Sequence, residues 1–527
     1  MSLNTLPLEI TQQIVGDAAP DGFESIALTC KSLFRDCQPL INDYNRKRRR
    51  FWSFRYSRHS ADVACDVHGD KSTCDRLHHW DDVTATTGFK VTDIFDLLAL
   101  VLRDPSIGRF IHSLDLKHHR VLLPFGHRPL ANRNADNIRG PYPEFGEEDE
   151  ANIRRFLSDP VFGEDFLEDP STYNLDRMSI VEAEIWLLNF LPNVKDIALS
   201  KAWAYTIPPS RLKQLEAIAQ RANDPKKTEA SLSQLTVMKP FVGHGYISTA
   251  PLSQLTSFLT LNSLQEFYMG GIEAWGTNLA ENYFTANSFG TGLTKIELNG
   301  SCIGIPELSE LLGLTPNLRS LCLGLESKPN GSGRSYDIGH IISIIGSRVG
   351  DVIEELAIVN HPLQWHTTSP ASMSAFQRLR RFEIDIRSLW AGPTFQGEGS
   401  FQQGSGWVPL PLVDILPPSL ETAKIYSQNI TGEGEVVANI SNLLLGFRDE
   451  RHSKLPRLVD VDLISPHPGR TPRGSRLFDA LRLATEAGLR VHHDESRQCQ
   501  PTFTWTFNSR FMVNDAERDN RLDTSHM

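Results

Sequence analysis

The sequence predicts an α/β protein in which three short helices precede a long array of helix–strand repeats. Two observations support this prediction. The first forty-five residues carry three apolar stripes at helical spacing. From about residue 109 onward a short apolar pattern recurs, and its last two positions alternate as they do in a strand with one buried face. With 527 residues, the chain is long enough for one extended repeat array.

The three N-terminal stripes each predict one helix. Leu6, Ile10 and Ile14 lie four residues apart, and Pro7 suits a first helical turn because its missing N–H would be unpaired there. The second and third stripes comprise Phe23, Ile26, Ala27 and Cys30, and then Leu33, Cys37, Leu40, Ile41 and Tyr44. Three short helices cannot bury this much apolar surface by themselves, so we expect part of it to contact a partner.

The segment from Leu6 to Phe34 resembles the F-box, the helical module that docks a protein onto the Skp-type adaptor of a cullin-RING (SCF) ubiquitin ligase. Leu33-Phe34 stands where the family usually has a tryptophan. The resemblance covers residues 1–45 and implies the following adaptor contacts: Leu6, Pro7, Leu8, Ile10, Ile14, Leu28, Cys30, Leu33 and Phe34. The alternative is an ordinary helical cap on a larger domain.

The recurring pattern is an apolar residue, another three positions later and a third two positions beyond that. Its ten copies are Ile111/Leu114/Leu116, Val194/Ile197/Leu199, Leu232/Leu235/Val237, Leu264/Phe267/Met269, Leu293/Ile296/Leu298, Leu318/Leu321/Leu323, Ile353/Leu356/Ile358, Leu379/Phe382/Ile384, Leu420/Ala423/Ile425 and Leu458/Val461/Leu463. Four copies carry a proline two residues ahead, and several follow a helical stretch. The repeating unit is therefore a helix, a turn and a short strand. From the copy that begins at Val194 onward, the spacing ranges from 25 residues, between Leu293 and Leu318, to 41, between Leu379 and Leu420.

This unit resembles the leucine-rich repeat in an irregular form with long insertions, as in fungal F-box proteins. Each repeat buries its apolar face only against its neighbours, so residues 109–495 are expected to stack into a solenoid with a concave parallel sheet. Residues 46–108 would form a helical or irregular linker, and residues 496–527 a partly disordered tail.

Side chains that alternate with the buried ones are predicted to line the concave surface. They are Glu297, Asn299, Glu383, Asp385, Lys424, Tyr426, Asp462 and Ile464. As a set they would form a substrate-binding face, whose acidic lean favours a basic or hydroxyl-rich partner. Taken singly, each is also explained as an ordinary solvated strand residue.

Composition and charge restrict the class of protein. The net charge of −11 argues against general nucleic-acid binding, which depends on positive charge. The N-terminus lacks a signal-peptide pattern, and the apolar stretch from Leu97 to Leu102 is too short to span a membrane. Seven scattered cysteines indicate free thiols in a reducing compartment. We therefore expect an intracellular protein, cytoplasmic or nuclear, without a nucleic-acid or membrane partner.

Two short segments allow alternative interpretations. The basic run Asn45–Arg50 is usable as a nuclear localisation signal, or is the solvated end of a helix with cations at its favourable C-terminus. The second segment contains residue types that zinc prefers: Cys65, His68, Cys74, His78 and His79. Their spacing matches no common zinc finger, so we expect an irregular linker without metal, and no cofactor.

The sequence contains none of the motifs that mark common catalytic sites: no Gly-x-Ser-x-Gly, no His-Glu-x-x-His, no phosphate-binding Gly-x-x-x-x-Gly-Lys and no dinucleotide fingerprint. The two resemblances together imply a non-catalytic substrate receptor of an SCF ubiquitin ligase. Its F-box would bind the Skp-type adaptor and, through it, a cullin, while the repeats hold a protein substrate. The alternatives are a repeat scaffold that acts outside a ubiquitin ligase, and an enzyme unrelated to either motif.

Overall fold

The computed structural model divides into two compact units. Unit 1 comprises Met1–Phe241 and Leu261–Leu264, and unit 2 comprises Val242–Thr260 and Gln265–Met527. Both combine helices with parallel strands, so the α/β prediction is confirmed. The structure describes residues 6–19, 22–27, 31–55, 91, 93–116, 145–158, 174–175, 178–227, 229–240, 250–275, 284, 289–325, 336–360, 365–366, 373–385, 390–391, 408–409, 411–426, 443–464, 482, 485–486 and 488.

The described N-terminal residues form four helices: α1 (Leu8–Asp17), α2 (Phe23–Ala27), α3 (Lys31–Asp36) and α4 (Gln38–Phe51). The sequence predicts three, because the stripe from Leu33 to Tyr44 is continuous. The structure divides this stripe at Cys37, which leaves the helical conformation with φ −98° and ψ 11°. Pro39 explains the division, since proline lacks the N–H that a continuing helix needs and fits the first turn of a new one.

Unit 1 contains five further helices in its described residues. They are α5 (Ile94–Arg103), α6 (Ser106–Phe110), α7 (Glu147–Leu157), α8 (Ile180–Leu188) and α9 (Pro209–Ala222), and a 3-10 turn spans Lys201–Ala204. Asp93 begins α5 by accepting hydrogen bonds from the N–H groups of Phe95 and Asp96, both at 2.9 Å. Ser179 and Glu182 form a reciprocal capping box at the start of α8, all of whose residues are buried.

Four parallel strands of unit 1 follow one another in chain order: β1 (Ser53–Arg55), β2 (Ser113–Asp115), β3 (Asp196–Ala198) and β4 (Val237–Met238). Their register aligns four buried side chains: Phe54, Leu114, Ile197 and Met238. The sequence prediction did not include β1, which lies in the segment 46–108 that was expected to be a linker. Phe51 and Phe54 nevertheless carry the first part of the recurring pattern, three residues apart and both buried.

The predicted triplet Leu232/Leu235/Val237 has the wrong register. Met238, rather than Leu235, lies opposite Ile197 of β3. Leu232 instead has a positive φ of 64° in the turn that precedes the strand. The pattern therefore begins three residues later, at Leu235, and apolar residues in the turn account for the misplacement.

Unit 2 contributes the remaining described strands: β5 (Ala250–Pro251), β6 (Glu266–Gly270), β7 (Ile272–Ala274), β8 (Lys295–Ile303), β9 (Ser320–Leu325), β10 (Tyr336–Asp337), β11 (Glu355–Asn360), β12 (Trp365–His366), β13 (Arg381–Asp385), β14 (Trp390–Ala391), β15 (Val408–Pro409), β16 (Thr422–Tyr426) and β17 (Asp460–Ile464). Its described helices are α10 (Thr256–Leu259), α11 (Ile305–Gly313), α12 (Ile338–Val349), α13 (Leu412–Ile415) and α14 (Phe447–Lys454), and a 3-10 turn spans Leu252–Leu255.

The main sheet of unit 2 is parallel, and its strands pair in the order β6, β8, β9, β11, β13, β16, β17. The register aligns one row of buried side chains: Phe267, Ile296, Leu321, Leu356, Phe382, Ala423 and Val461. Each of these residues is the middle member of a predicted triplet. The other nine predicted triplets therefore lie on strands in the expected register.

Candidate functional site

The first candidate site consists of exposed apolar side chains on helices α1 and α3. Helix α1 buries Thr11 and Val15, whereas Leu8, Ile10 and Ile14 are 48%, 44% and 37% exposed. A helix normally turns its most apolar side inward, because burial of a large aliphatic side chain stabilises by about 1.5–3 kcal/mol. Helix α1 turns a threonine inward and leaves two isoleucines outside. Ile10 and Ile14 lie one helical turn apart on the same side of α1, whereas Leu8 lies on a different side, so we call the exposed pair Ile10 and Ile14 the N-terminal apolar surface.

The helix that carries this surface and its neighbours are well packed on their inner side. Phe23 stacks on Tyr44 with ring centroids 4.4 Å apart, and Tyr44 lies 5.3 Å from the ring of Phe110. The amide of Gln12 donates to the carbonyl of Asp36 at 2.9 Å and ties α1 to α3. The apolar side chains Ile10 and Ile14 are therefore exposed on a helix whose neighbours are packed on their inner side.

The structure distributes the predicted adaptor contacts over several environments. Leu8, Ile10, Ile14 and Phe34 are exposed, Leu6 is half-buried, and Pro7 is exposed at the N-cap of α1. Leu33 is 3% exposed and packs inside, so its role is in the core rather than on the surface. Leu28 and Cys30 lie outside the described residues.

The basic run Asn45–Arg50 forms the last turns of α4, and several of its side chains make contacts within unit 1. Lys47 pairs with Asp104 at 2.6 Å, and Arg48 pairs with Glu24. Arg50 is buried, with its guanidinium 4.9 Å from the ring centroid of Phe54. These contacts favour the interpretation of the run as a helix end.

The second candidate site is on the side of the unit 2 strands opposite the buried triplets, which we call the polar strand face. Residues two, four and six positions after the start of each triplet point to this side because side chains alternate along a strand. All seven described candidates for substrate contact lie on it. The expectation that they are solvated is wrong for Glu297, Asp385 and Tyr426, which are only 3%, 3% and 1% exposed.

Contacts between neighbouring strands explain part of this burial. The hydroxyl of Tyr426 donates to Oε2 of Glu383 at 2.8 Å, and Nζ of Lys424 lies 3.5 Å from Oε1 of the same carboxylate. Strands only about 4.8 Å apart bring successive side chains together and let them cover one another. Asn299 and Asp462 are half-buried, and the side chain of Ile464 lies outside the described residues.

Cys322 occupies the middle of the polar strand face, and the sequence analysis did not select it. The register places it between Glu297 of β8 and Ala357 of β11, with Glu383 of β13 next along the row. Burial raises the pKa of the Cys322 thiol well above its usual value, and the carboxylates of Glu297 and Glu383 raise it further. The sequence could have identified Cys322 as a residue of the polar strand face, because it has the same position in its triplet as Glu297.

One enclosed carboxyl group bears on the enzyme alternative. Glu184 of α8 is fully buried, and its Oε2 accepts a hydrogen bond from the indole N–H of Trp203 at 2.6 Å. Burial raises the pKa of Glu184 to about 7, against smaller opposing effects of hydrogen bonds from Ser200 and Trp203. A carboxyl group with such a pKa suits acid–base chemistry only where a substrate can reach it. Its complete burial makes Glu184 a structural group.

No metal or membrane site emerges from the described residues. Among them, no cluster of three or more His, Cys, Asp or Glu side chains is arranged to hold a metal ion. The zinc-ligand candidates Cys65, His68, Cys74, His78 and His79 lie outside the described ranges. In that same part of the chain, each helix lacks the length or the apolar composition needed to cross a bilayer.

Two comparisons with known proteins identify no relative of this chain. A scan against protein-family models finds no match, and a search of curated proteins finds none with significant sequence similarity.

Proposed function

We propose that this protein is the substrate-recognition subunit of an SCF-type ubiquitin ligase. The observation that carries the proposal is the N-terminal apolar surface, where Ile10 and Ile14 point outward from a helix that buries Thr11. Such a surface suits a permanent protein partner, which would cover it and gain the burial energy that the fold leaves unused. The F-box resemblance of the same residues makes a Skp-type adaptor the natural partner.

The strand order of unit 2 supports the second part of the proposal. The strands of the main sheet lie side by side in the order in which they occur along the chain, as stacked repeats require, and this arrangement is compatible with an irregular leucine-rich-repeat solenoid. In such a protein the repeats hold a substrate while the adaptor and a cullin bring it to the ubiquitin carrier enzyme. The contribution is proximity, which raises the effective concentration of substrate lysines. The site of action would be the cytoplasm or the nucleus.

The proposal is tested by adaptor binding to the full chain. Replacing Ile10 and Ile14 with serine removes two anchors worth about 1–3 kcal/mol each, so the dissociation constant of the adaptor should rise at least tenfold. The matched control replaces Asn42 and Asn45, exposed polar residues of helix α4, with serine and should leave binding within twofold. Calorimetry with a purified Skp-type adaptor measures both variants.

Two results would contradict the proposal. One is unchanged adaptor affinity in the folded isoleucine variant, and the other is the absence of adaptor binding by the parent chain. The second result would favour a repeat scaffold that works outside a ubiquitin ligase.

A further inference from the structure

One buried carboxyl group joins helix α8 of unit 1 to the 3-10 turn Lys201–Ala204. Oε2 of Glu184 accepts hydrogen bonds from the indole N–H of Trp203 at 2.6 Å and from the backbone N–H of Ser200 at 3.4 Å. Ser200 is the N-cap of the turn, and its hydroxyl oxygen accepts from the N–H of Ala202 at 3.3 Å. The carboxyl group of Glu184 therefore holds the turn against α8 at two points.

The second oxygen of this carboxyl group has no donor. Glu184 is 0% exposed, and among the described residues no group donates a hydrogen bond to its Oε1. A neutral carboxyl group carries an unpaired oxygen at modest cost, whereas a carboxylate places charge on both oxygens, and each then needs donors or water. Ionisation of Glu184 is therefore costly as long as the turn stays closed.

No charged group of the described residues offsets this cost. Burial raises the pKa of Glu184 to about 7, the hydrogen bonds from Ser200 and Trp203 oppose the rise, and no described cation or anion contributes. Helix α7 packs on α8 through Phe156 and Trp186, on a different side of α8 from Glu184. The charged groups of α8 and of the other elements packed against it are paired elsewhere or reach solvent. They are Glu182 with Arg211, Arg103 with Asp149, Arg221 with Asn189, and the partly or fully exposed Asp93, Asp96, Lys201, Lys213 and Glu216.

The turn is the side of this contact that can open to water. Every residue of α8 is buried, whereas the turn reaches the surface at Lys201 and partly at Ala204. The backbone hydrogen bond from the N–H of Trp203 to the carbonyl of Ser200 is 3.3 Å long, beyond the usual range for such bonds. Displacing four residues that are held in this way disturbs less of the core than moving the helix. A charged Glu184 therefore reaches water through movement of the turn.

We infer that Glu184 is a proton-dependent latch on the turn Lys201–Ala204. With its proton in place, the neutral carboxyl group keeps the turn closed on α8. When the proton leaves for solvent, the turn opens, water hydrates the carboxylate and the indole of Trp203 becomes accessible. The latch is a property of unit 1 and does not depend on the proposed function.

The latch responds to pH between the two pKa values of this carboxyl group. Hydration in the open turn returns the pKa of Glu184 to its ordinary value of 4.5, whereas the pKa in the closed turn is about 7. Opening therefore becomes about tenfold more frequent for each pH unit between these values. It levels off above pH 7, because the closed form then ionises as well, and the turn is held most firmly below about pH 4.5.

Hydrogen exchange of the full chain tests the latch, with mass-spectrometric detection and correction for the pH dependence of chemical exchange. In the parent protein, the opening constant of a peptide spanning residues 199–206 should rise at least tenfold from pH 5 to pH 8. Glu184→Gln has no proton to lose in this range and should abolish the rise. The matched control Glu216→Gln, at an exposed position of α9, should keep the rise of the parent.

Exchange in α8 distinguishes local opening from unfolding of the whole unit. Amides of residues 181–188 should have an opening constant at least tenfold below that of the turn, and about 1 M urea should leave the turn nearly unaffected, because local opening exposes little surface. The latch is overturned if turn and helix share one opening constant at every pH, if the parent turn does not respond to pH, or if Glu184→Gln keeps the response. The comparison of turn with helix needs only the parent chain, so it is decisive even if Glu184→Gln does not fold.

Discussion

The N-terminal helices and the strand array of unit 2 treat their apolar side chains in opposite ways. In the described part of the chain, seven large apolar side chains are strongly exposed: Leu8, Ile10, Ile14, Phe34, Trp52, Leu445 and Val459. Five of them lie within the first 52 residues, whereas the long array contributes only the last two. In the array every core row runs continuously from strand to strand, so each repeat is covered by its neighbours.

The two regions therefore differ in how completely they bury their apolar side chains. The array adds a strand for each repeat and buries its triplets internally, whereas the short N-terminal helices have one layer of partners and leave a face uncovered. The N-terminal helices pack on the rest of unit 1 through their inner side, as Tyr44 does on Phe110. We therefore expect that substitutions of buried apolar residues in the array will disrupt folding. Substitutions of the exposed apolar residues of the N-terminal helices are expected to weaken binding instead.

The largest effect is expected for a charge placed inside the array. Leu321 is 1% exposed at the centre of the aligned row, so Leu321→Asp would bury a charge without a partner and should destabilise unit 2 by about 5 kcal/mol or more. Val459→Asp makes the same type of change at a position that is 63% exposed, and should cost less than about 0.5 kcal/mol. Thermal melts followed by circular dichroism compare the two. Equal melting of Leu321→Asp and the parent would contradict the observed register.

The sequence was sufficient to predict the array because its repeats share a physical requirement. A residue such as Leu356 must be buried to hold its strand, so its apolar character is visible in the chain. The same reasoning failed at Leu232, where apolar residues in a turn imitated the pattern, and it omitted β1, whose partner β2 follows about sixty residues later. The first part of the pattern is present there at Phe51 and Phe54, but it lies in the segment that was expected to be a linker.

The sites were less predictable than the fold. Alternation along a strand correctly predicted that Glu383 and Asp385 lie on the polar strand face. Their exposure, however, depends on the side chains of neighbouring strands, such as Tyr426, whose hydroxyl donates to Glu383. Cys322 became notable only when the register put it beside Glu297, with Glu383 two strands away on the other side. Conversely, the apolar stripe of α1 was visible in the sequence, whereas its outward orientation was not, because orientation depends on which side packs against the other helices.

A second, intermediate effect concerns the buried carboxyl group of unit 1. Because burial raises the pKa of Glu184 from 4.5 to about 7, the folded protein keeps a proton that the unfolded chain loses between these pH values. The associated stability is present in full below about pH 4.5 and is lost as the pH rises through 7, a change of about 3 kcal/mol. Glu184→Gln should abolish this decline and be more stable than the parent above pH 7.

Urea unfolding followed by tryptophan fluorescence, from pH 5 to pH 8, measures this difference, since Trp203 contacts the carboxyl group directly. Glu216→Gln, at an exposed position of α9, serves as the control and should leave the pH profile of the parent unchanged. A gap between Glu184→Gln and the parent that stays constant over this range would mean that Glu184 is ionised in the folded protein throughout.

The smallest effect on stability is expected at Ile10 and Ile14, the residues proposed to contact the adaptor. Ile10 and Ile14 are exposed in the isolated chain, so replacing both with serine removes little buried area and should change the free energy of unfolding by less than about 0.5 kcal/mol each. Val15, one residue further along the same helix, is fully buried, and Val15→Ser should cost several times more. Thermal melts without adaptor would give near-parent stability for the isoleucine variant and a clear loss for Val15→Ser. If the isoleucine variant melts early instead, these residues belong to the core, and the N-terminal apolar surface would no longer indicate a partner.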